Sequence, residues 1–354
     1  MARNASSSIR MREATEPASC NNGCGTLRLI QTISLFSGSG GLDLGLLETR
    51  AFKIVLANDI NPNACASYQH NIGNHILCQD LSTLSSFPQA DLVVGGPPCQ
   101  GFSLANPKRA FDDPRNWLFK EYVRVLKTVR PKAFLMENVR GLLTLEGGRV
   151  FDLITSGLKD CGFNLQHEVL NAVDFGVPQT RNRVIIVGVR EDVKARFVFP
   201  QPTIAPPLFG KVATVRDAIL VNPPDASDPN HQIGKLTNLN ATRLSHIPPG
   251  GSMANCPPKL RNSSDLKRAM RRLHPDKPSY TIVHNNCDHY YHPTEERRLT
   301  IREMALLQTY PREFIFFGSK SEQSRQVGNS VPVTMAYHLG VAVRDLFLRH
   351  DSAT

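Results

Sequence analysis

Between Leu29 and Arg190 the chain alternates short apolar, β-branched runs with stretches in which apolar residues recur at helical spacing. The alternation of such runs with helical stretches is the pattern of a doubly wound α/β sheet. The strands it predicts are 32–36, 53–57, 75–77, 91–95, 133–137, 166–172 and 184–189, with helices between them. A helix over 62–70 starts with Asn61 as N-cap and Pro62 in its first turn. Another spans 117–129.

After Arg190 the pattern changes. Eleven of the 25 prolines fall between Pro200 and Pro258, and strong periodicity is lost. That composition reads as a loop-rich module with short strands. Regular structure returns at Thr300-Ile301-Arg302-Glu303, a capping box opening a helix that runs to Gln308. A last helix begins near Val331-Pro332 and ends at about Arg349. The expected organisation is a flexible leader over 1–27, an α/β domain built from 28–195 plus 325–354, a second, smaller domain over 196–296, and a hinge over 297–324.

Composition narrows the classes. No run approaches the ~20 apolar residues of a membrane span, and 1–27 lacks the continuous apolar segment of a secretory signal. Lys and Arg number 41 against 31 acidic residues, a net charge of +10 that favours a polyanionic partner. The eight cysteines, at 20, 24, 65, 78, 99, 161, 256 and 287, are too scattered for a disulfide scaffold. Reduced thiols in a cytoplasm are the expectation. Cys20 and Cys24 have no second pair nearby with which to build a zinc site.

Four constellations carry chemistry. Ile33-Ser-Leu-Phe-Ser-Gly-Ser-Gly-Gly-Leu42 runs from a strand through a glycine turn into a helix, which brings backbone N–H groups to a ligand. Asp59 follows the second strand, where an acid binds ribose hydroxyls, and Asp80 follows the third, placed to meet an adenine. Together they indicate an adenosyl cofactor without separating NAD from S-adenosylmethionine. Asp91-Leu-Val-Val-Gly-Gly-Pro-Pro-Cys-Gln-Gly-Phe-Ser103 makes that separation. It sets Cys99 in a rigid Pro-Pro loop at the carboxyl end of the fourth strand, where open α/β sheets bind ligands. Glu137, in Phe134-Leu-Met-Glu-Asn-Val139, ends the neighbouring fifth strand and suits general-acid work. Gln179-Thr-Arg-Asn-Arg183 precedes the last strand, and alternation puts Gln179, Arg181 and Arg183 on one face, fit for phosphate and carbonyl oxygens.

This ordered set closely resembles the cytosine-C5 DNA methyltransferase family, of the bacterial restriction-modification type. The resemblance continues through Arg298-Leu-Thr-Ile-Arg-Glu-Met-Ala-Leu-Leu-Gln-Thr-Tyr-Pro311 and Gln326-Val-Gly-Asn-Ser-Val-Pro332. It runs from about Ile33 to Gly340, with 190 to about 273 unmatched. Ile60 departs from it, standing where the family often has a bulkier or aromatic residue.

The resemblance implies a Rossmann-like S-adenosylmethionine-dependent sheet with a target-recognition domain. It implies that Cys99 adds to cytosine C6, that Glu137 donates to N3, that Arg183 holds O2, and that Arg181 helps bind the backbone and loop. It implies a cofactor wall of Phe36, Gly38, Gly40, Asp59, Ile60, Asp80, Leu81, Pro97, Gln100 and Leu118, with Asn329 and Val331 returning from the far end. The cytosine is expected to be flipped out of duplex DNA. Ser103 would lie near a phosphate with Arg109 and Arg115, Gln179 would join the contacts to DNA, and Arg261, Lys267, Arg268, Arg271 and Arg272 would touch phosphates or bases, as Lys259 would. His284, Cys287, His289 and His292 are spaced loosely like metal ligands, but the family carries a similar run without metal, so none is expected. A cognate restriction endonuclease acting on the same site is the implied partner, and a monomer is expected.

Three rivals can be stated. A nicotinamide oxidoreductase explains the glycine turn and Asp59 but leaves the cysteine loop and arginines idle. A silent DNA-binding relative would have no need of Cys99 and Glu137. An RNA cytosine methyltransferase shares the scaffold, but Gln100-Gly-Phe-Ser103 follows the DNA type.

Overall fold

A computed structural model describes residues 28–98, 117–203, 212–262, 266–283 and 290–353. Cys99, Gln100, Ser103, Arg109, Arg115, His284, Cys287 and His289 lie outside the described residues.

The first half of the chain reads β1 (Ile30–Leu35), α1 (Gly41–Glu48), β2 (Phe52–Asp59), α2 (Pro62–Asn71), β3 (Ile76–Cys78), β4 (Leu92–Gly95), α3 (Trp117–Val129), β5 (Ala133–Val139), α4 (Arg149–Lys159), β6 (Phe163–Asn171) and β7 (Asn182–Arg190). These strands form one seven-stranded sheet in the order β3-β2-β1-β4-β5-β7-β6. The first five are parallel, and β7 runs antiparallel to both β5 and β6. The amino end of β7 therefore lies at the same edge as the carboxyl ends of β1 to β5.

Alternate residues of the central strands point to opposite faces of the sheet, and both faces are covered by an apolar layer. Leu92, Val94, Ala133, Leu135, Ile185 and Val187 face one layer, which also holds Leu46 of α1. Val93, Phe134, Met136, Val184 and Ile186 face the other, against Tyr122, Val125 and Leu126 of α3 and Ile154 and Leu158 of α4. Every predicted strand is present, most with ends moved by a few residues. The largest shift is in edge strand β6, which starts three residues earlier than expected, at Phe163, where the exposed Asn164 breaks the apolar signal.

The second half adds α5 (Asn238–Ser245), β8 (Arg271–Arg272), β9 (Tyr290–Tyr291), α6 (Ile301–Leu307), α7 (Lys320–Asn329) and α8 (Val333–Asp351). Around α5 a small core of Leu244, Ile247, Met253, Cys256, Met270 and Tyr291 forms under the proline-rich loops. The Thr300 capping box is present: the Thr300 hydroxyl accepts from Glu303 N, and Glu303 Oε2 accepts from Thr300 N at 2.8 Å. The segment from 297 to 324 has a core of its own, in which Tyr310, Phe314 and Phe316 stack together and join Leu44 of α1, Ile219 and Ile282. Helix α8 packs back on α1, where Gly45 has no room for a side chain against Ala336 and the Val333 carbonyl. No helix among the described residues is long and apolar enough to cross a membrane.

Candidate active site

The described candidates gather at the carboxyl edge of the parallel strands. After β1, Phe36 and Gly38 take left-handed backbone at φ 55° and 56°, and Gly40 does so at 89°. A side chain on Gly41 would strike Ser330 Oγ, so the turn is closed by the segment that returns from the far end. Ser39 Oγ and Ser330 Oγ meet the buried Tyr310 hydroxyl at 2.9 and 2.6 Å, and burial pushes that phenol up to about 12.

Asp59, the last residue of β2, faces this turn. Its Oδ2 accepts from Gly38 N and its Oδ1 from Asn61 N, both at 2.8 Å. Burial raises its pKa, and those N–H groups oppose the rise. Beside it Ile60 is 67% exposed, an uncovered apolar side chain next to a carboxylate. Asp80 caps a short 3₁₀ turn by accepting from Ser82 N, and that bond lowers its pKa. Leu81 is buried in the core, with its carbonyl held by Arg124 of α3, while Leu118 opens that helix half-buried. Asn329 is exposed at the end of α7, whereas the Val331 side chain points into the core beneath the sheet.

Two residues not singled out from sequence organise this edge. Asn58, buried, donates to the carbonyls of Leu77 and Gln79 at 3.0 and 2.9 Å and so fixes the end of β3. Asp43, buried in α1, accepts from Ser34 Oγ at 2.6 Å and from Tyr68 Oη at 2.7 Å. Burial raises its pKa from 3.8 to about 6. A polar residue on the inner face of a glycine-led helix was the available signal for Asp43. Asn58 offered none.

The chemistry-bearing pair sits one strand further. Glu137 on β5 and Arg183 on β7 lie on one face of an antiparallel pair, with Arg183 Nε 2.7 Å from Glu137 Oε1. The contact is one of charge rather than an aligned hydrogen bond, since Oε1 accepts none although buried. The next residue, Asn138, donates from Nδ2 to the Pro97 carbonyl at 2.9 Å. A side chain on Gly96 would lie 3.2 Å from Glu137 Oε2, so the Gly-Gly-Pro-Pro loop passes directly over the carboxylate. Pro97 is buried and Pro98 exposed, and Cys99 is the next residue in the chain. A carboxylate, a guanidinium and the Gly-Gly-Pro-Pro segment that precedes Cys99 thus converge at one strand edge.

A family model for C-5 cytosine-specific DNA methylases matches residues 30–344. The chain belongs to that family. This DNA methylase is 39% identical over 327 residues to the Type II methyltransferase M1.HphI of Haemophilus parahaemolyticus, covering 88% of this chain and 86% of that protein. It is 36% identical over 326 residues to M.NgoFVII of Neisseria gonorrhoeae, covering 89% and 86%. In fold it is similar to the crystal structure of the S. pombe Dnmt2 methyltransferase, with a TM-score of 0.64 at 21% identity over 90% of this chain and 99% of that one. The chain is a cytosine-C5 DNA methyltransferase of restriction-modification type.

The remaining arginines of the methylase divide by burial. Arg181 is completely buried: Nη1 donates to Ile282 O at 2.9 Å, and Nη2 to Gly328 O and Ser330 O at 2.9 and 2.8 Å. Burial pulls its pKa down to about 9, with Arg183 adding to the effect. Gln179, expected among the DNA contacts, is also fully buried. It donates to Leu307 O and Gln308 Oε1 and accepts from Ile282 N. The expected single face of Gln179, Arg181 and Arg183 is therefore divided: two residues bind distant protein segments, and only Arg183 faces the carboxylate.

In the segment from 196 to 296, Arg261 donates to Cys256 O and Ala254 O, and Arg272 to Pro293 O and Ile247 O. Arg271 donates to Lys267 O and lies 4.3 Å over the Tyr280 ring, while Lys267 and Arg268 are exposed. His292 is buried between Glu295 and Glu303, with Nδ1 accepting from Glu295 N, and burial lowers its pKa. Among the described residues no group of three or more His, Cys, Asp or Glu could hold a metal ion.

Proposed function

We propose that this methyltransferase transfers the methyl group of S-adenosylmethionine to C5 of a cytosine flipped out of a short duplex DNA sequence, through a covalent adduct between Cys99 and cytosine C6. The observation that carries the reading is the convergence of Glu137, Arg183 and the Pro97 carbonyl at the strand edge that leads into Cys99.

Cytosine C5 is a weak nucleophile. Addition of the Cys99 thiolate to C6 makes C5 enamine-like, and charge gathers on N3 and O2. Glu137 supplies the proton at N3, and Arg183 holds O2. C5 takes the methyl group, its proton leaves to a base reached through water, and Cys99 is eliminated. Asn138 acts on the cysteine loop from behind, through the Pro97 carbonyl.

The residues present fit the cofactor. The glycine turn leaves backbone beside Asp59, both oxygens of which are already oriented by N–H groups. Ile60 offers uncovered apolar surface for an adenine. When bound, S-adenosylmethionine supplies an electrophilic methyl sulfonium. Phe36, Gly38, Gly40, Asp80, Leu81, Pro97, Gln100, Leu118 and Asn329 make up the rest of the wall. Val331 contributes through its main chain.

Target recognition belongs to 196–296, where Lys267, Arg268 and Arg271 meet DNA and Ser103 meets a phosphate. Residues 28–195 with 325–354 form the catalytic domain, and 297–324 joins the two. A monomer acting in a cytoplasm beside a cognate endonuclease of the same site completes the proposal.

The test is to incubate the protein with S-adenosylmethionine and unmethylated genomic DNA, then map 5-methylcytosine at base resolution beside a Cys99→Ala control. Methylation confined to one short motif and absent from the control is the expected outcome. DNA and cofactor binding without 5-methylcytosine would defeat the catalytic assignment.

A further inference from the structure

We propose that Cys65 and Cys78 form a redox-active dithiol beside the ribose-facing acid, closed to a disulfide by a peroxide-class oxidant, and that closure weakens cofactor binding. The first half stands on the fold alone. The second rests on the cofactor site proposed above.

Both thiols flank one residue. Cys78 ends β3 in register beside Asp59, on strands that run about 4.8 Å apart. Helix α2 starts just after Asp59, capped by Asn61, and one turn later Cys65 Sγ donates to the Asp59 carbonyl at 3.5 Å. Cys78 shares its strand parity with Ile76, which packs in one apolar layer with Cys65 and Tyr68 of α2, so the Cys78 side chain lies on the Cys65 side of the sheet. Cys78 is held there because the buried Asn58 amide grips the carbonyls on either side of it, Leu77 and Gln79. The two other free cysteines among the described residues donate to helix carbonyls instead, Cys161 to Gly157 O and Cys256 to Arg243 O.

The pair is asymmetric in the way such chemistry needs. Cys78 is exposed, and Cys65 is buried. The Cys78 thiolate attacks one peroxide oxygen, the O–O bond breaks, and a sulfenic acid forms as hydroxide leaves. The Cys65 sulfur then displaces the hydroxyl, giving the S–S bond and water. Two thiols and one hydrogen peroxide become a disulfide and two waters, with the two electrons passing from sulfur to oxygen. Burial pushes the Cys65 thiol up, so its step is the slower one and quickens as pH rises.

Closure reaches the cofactor edge through Asp59. It removes the S–H donor on the Asp59 carbonyl and draws the end of β3 toward α2. Between them lie the carboxylate aligned by Gly38 and Asn61 and the exposed Ile60.

The experiment uses the full chain carrying Cys99→Ala, which removes the catalytic thiol, treated with hydrogen peroxide and digested without reductant. S-adenosylmethionine affinity is titrated before treatment, after it, and after dithiothreitol. The expected result is a peptide linking Cys65 to Cys78 and an affinity roughly tenfold weaker. Dithiothreitol restores it, and Cys78→Ser, an exposed and conservative change, abolishes both effects. Absence of the linked peptide overturns the dithiol. A linked peptide with unchanged affinity overturns the effect on the cofactor. Reduced protein that fails to bind S-adenosylmethionine counts against the cofactor assignment, while the linked peptide still tests the dithiol by itself.

Discussion

At the end of β5 a carboxylate and a guanidinium meet at 2.7 Å with one buried carboxylate oxygen accepting no hydrogen bond. An acceptor left open in that way suits a substrate group, since buried polar atoms otherwise find partners. Glu137→Gln should therefore lower single-turnover methyl transfer by about 10²–10⁴-fold. DNA affinity, measured by titration with labelled duplex, should stay within a few-fold. Arg181 differs in kind. Its donors hold three main-chain carbonyls, so Arg181→Ala should cost about 3–5 kcal/mol of stability, read by denaturant unfolding. Glu137 and Arg183 were legible because a strand end fixes which way a side chain faces. The partners of Gln179 and Arg181 were not legible because they stand about a hundred residues or more further along the chain, where local alternation says nothing.

At the scale of elements, α1 carries a carboxylate in an apolar layer, tied to Ser34 and to a Tyr68 hydroxyl that also meets His75 Nε2 at 3.0 Å. The folded protein holds the Asp43 proton more tightly than the unfolded chain does between pH 3.8 and about 6. Unfolding free energy from this group therefore falls as pH rises through that window, by up to about 3 kcal/mol. Comparing the native protein with Asp43→Asn by denaturant unfolding from about pH 4 to 7 should show that fall in the native protein only. The capping box makes a simpler prediction: Thr300→Ala should cost about 1 kcal/mol by the same measurement. Strands and caps were legible because period-two burial and the Thr-x-x-Glu spacing are local. Helix α7 was not, because its sequence is polar and its buried face holds Ser324, Gln326 and Gly328 beside a single apolar residue, Val327.

For the whole molecule, the charge of +10 and the exposed Lys267 and Arg268 predict binding to duplex DNA that weakens steeply with salt. Each phosphate contact contributes about −0.9 to the slope of log affinity against log salt. Lys267→Ala should flatten that slope by about one, with methylation still at the same sequence motif. Arg271→Ala, which also unstacks Tyr280, should alter motif choice as well. The doubly wound sheet and the return of the last segment to it were readable from the order of motifs. The segment from 297 to 324, expected as a hinge, was less so, since it builds a core shared with Leu44 of α1 and with Val215, Ile219, Leu273 and Ile282.

Gln179 and Arg181 reach the segment from 196 to 296 at Ile282, and both bind its main chain, one at the N–H and the other at the carbonyl. Neither reads a side chain there. The fastening is thus indifferent to the residue it fastens, and the stretch before it is free to drift in sequence while its exit stays moored to the catalytic body. Transplanting the stretch that precedes Ile282 from a relative, joined at that residue, should leave the chemistry intact and carry the donor's target with it.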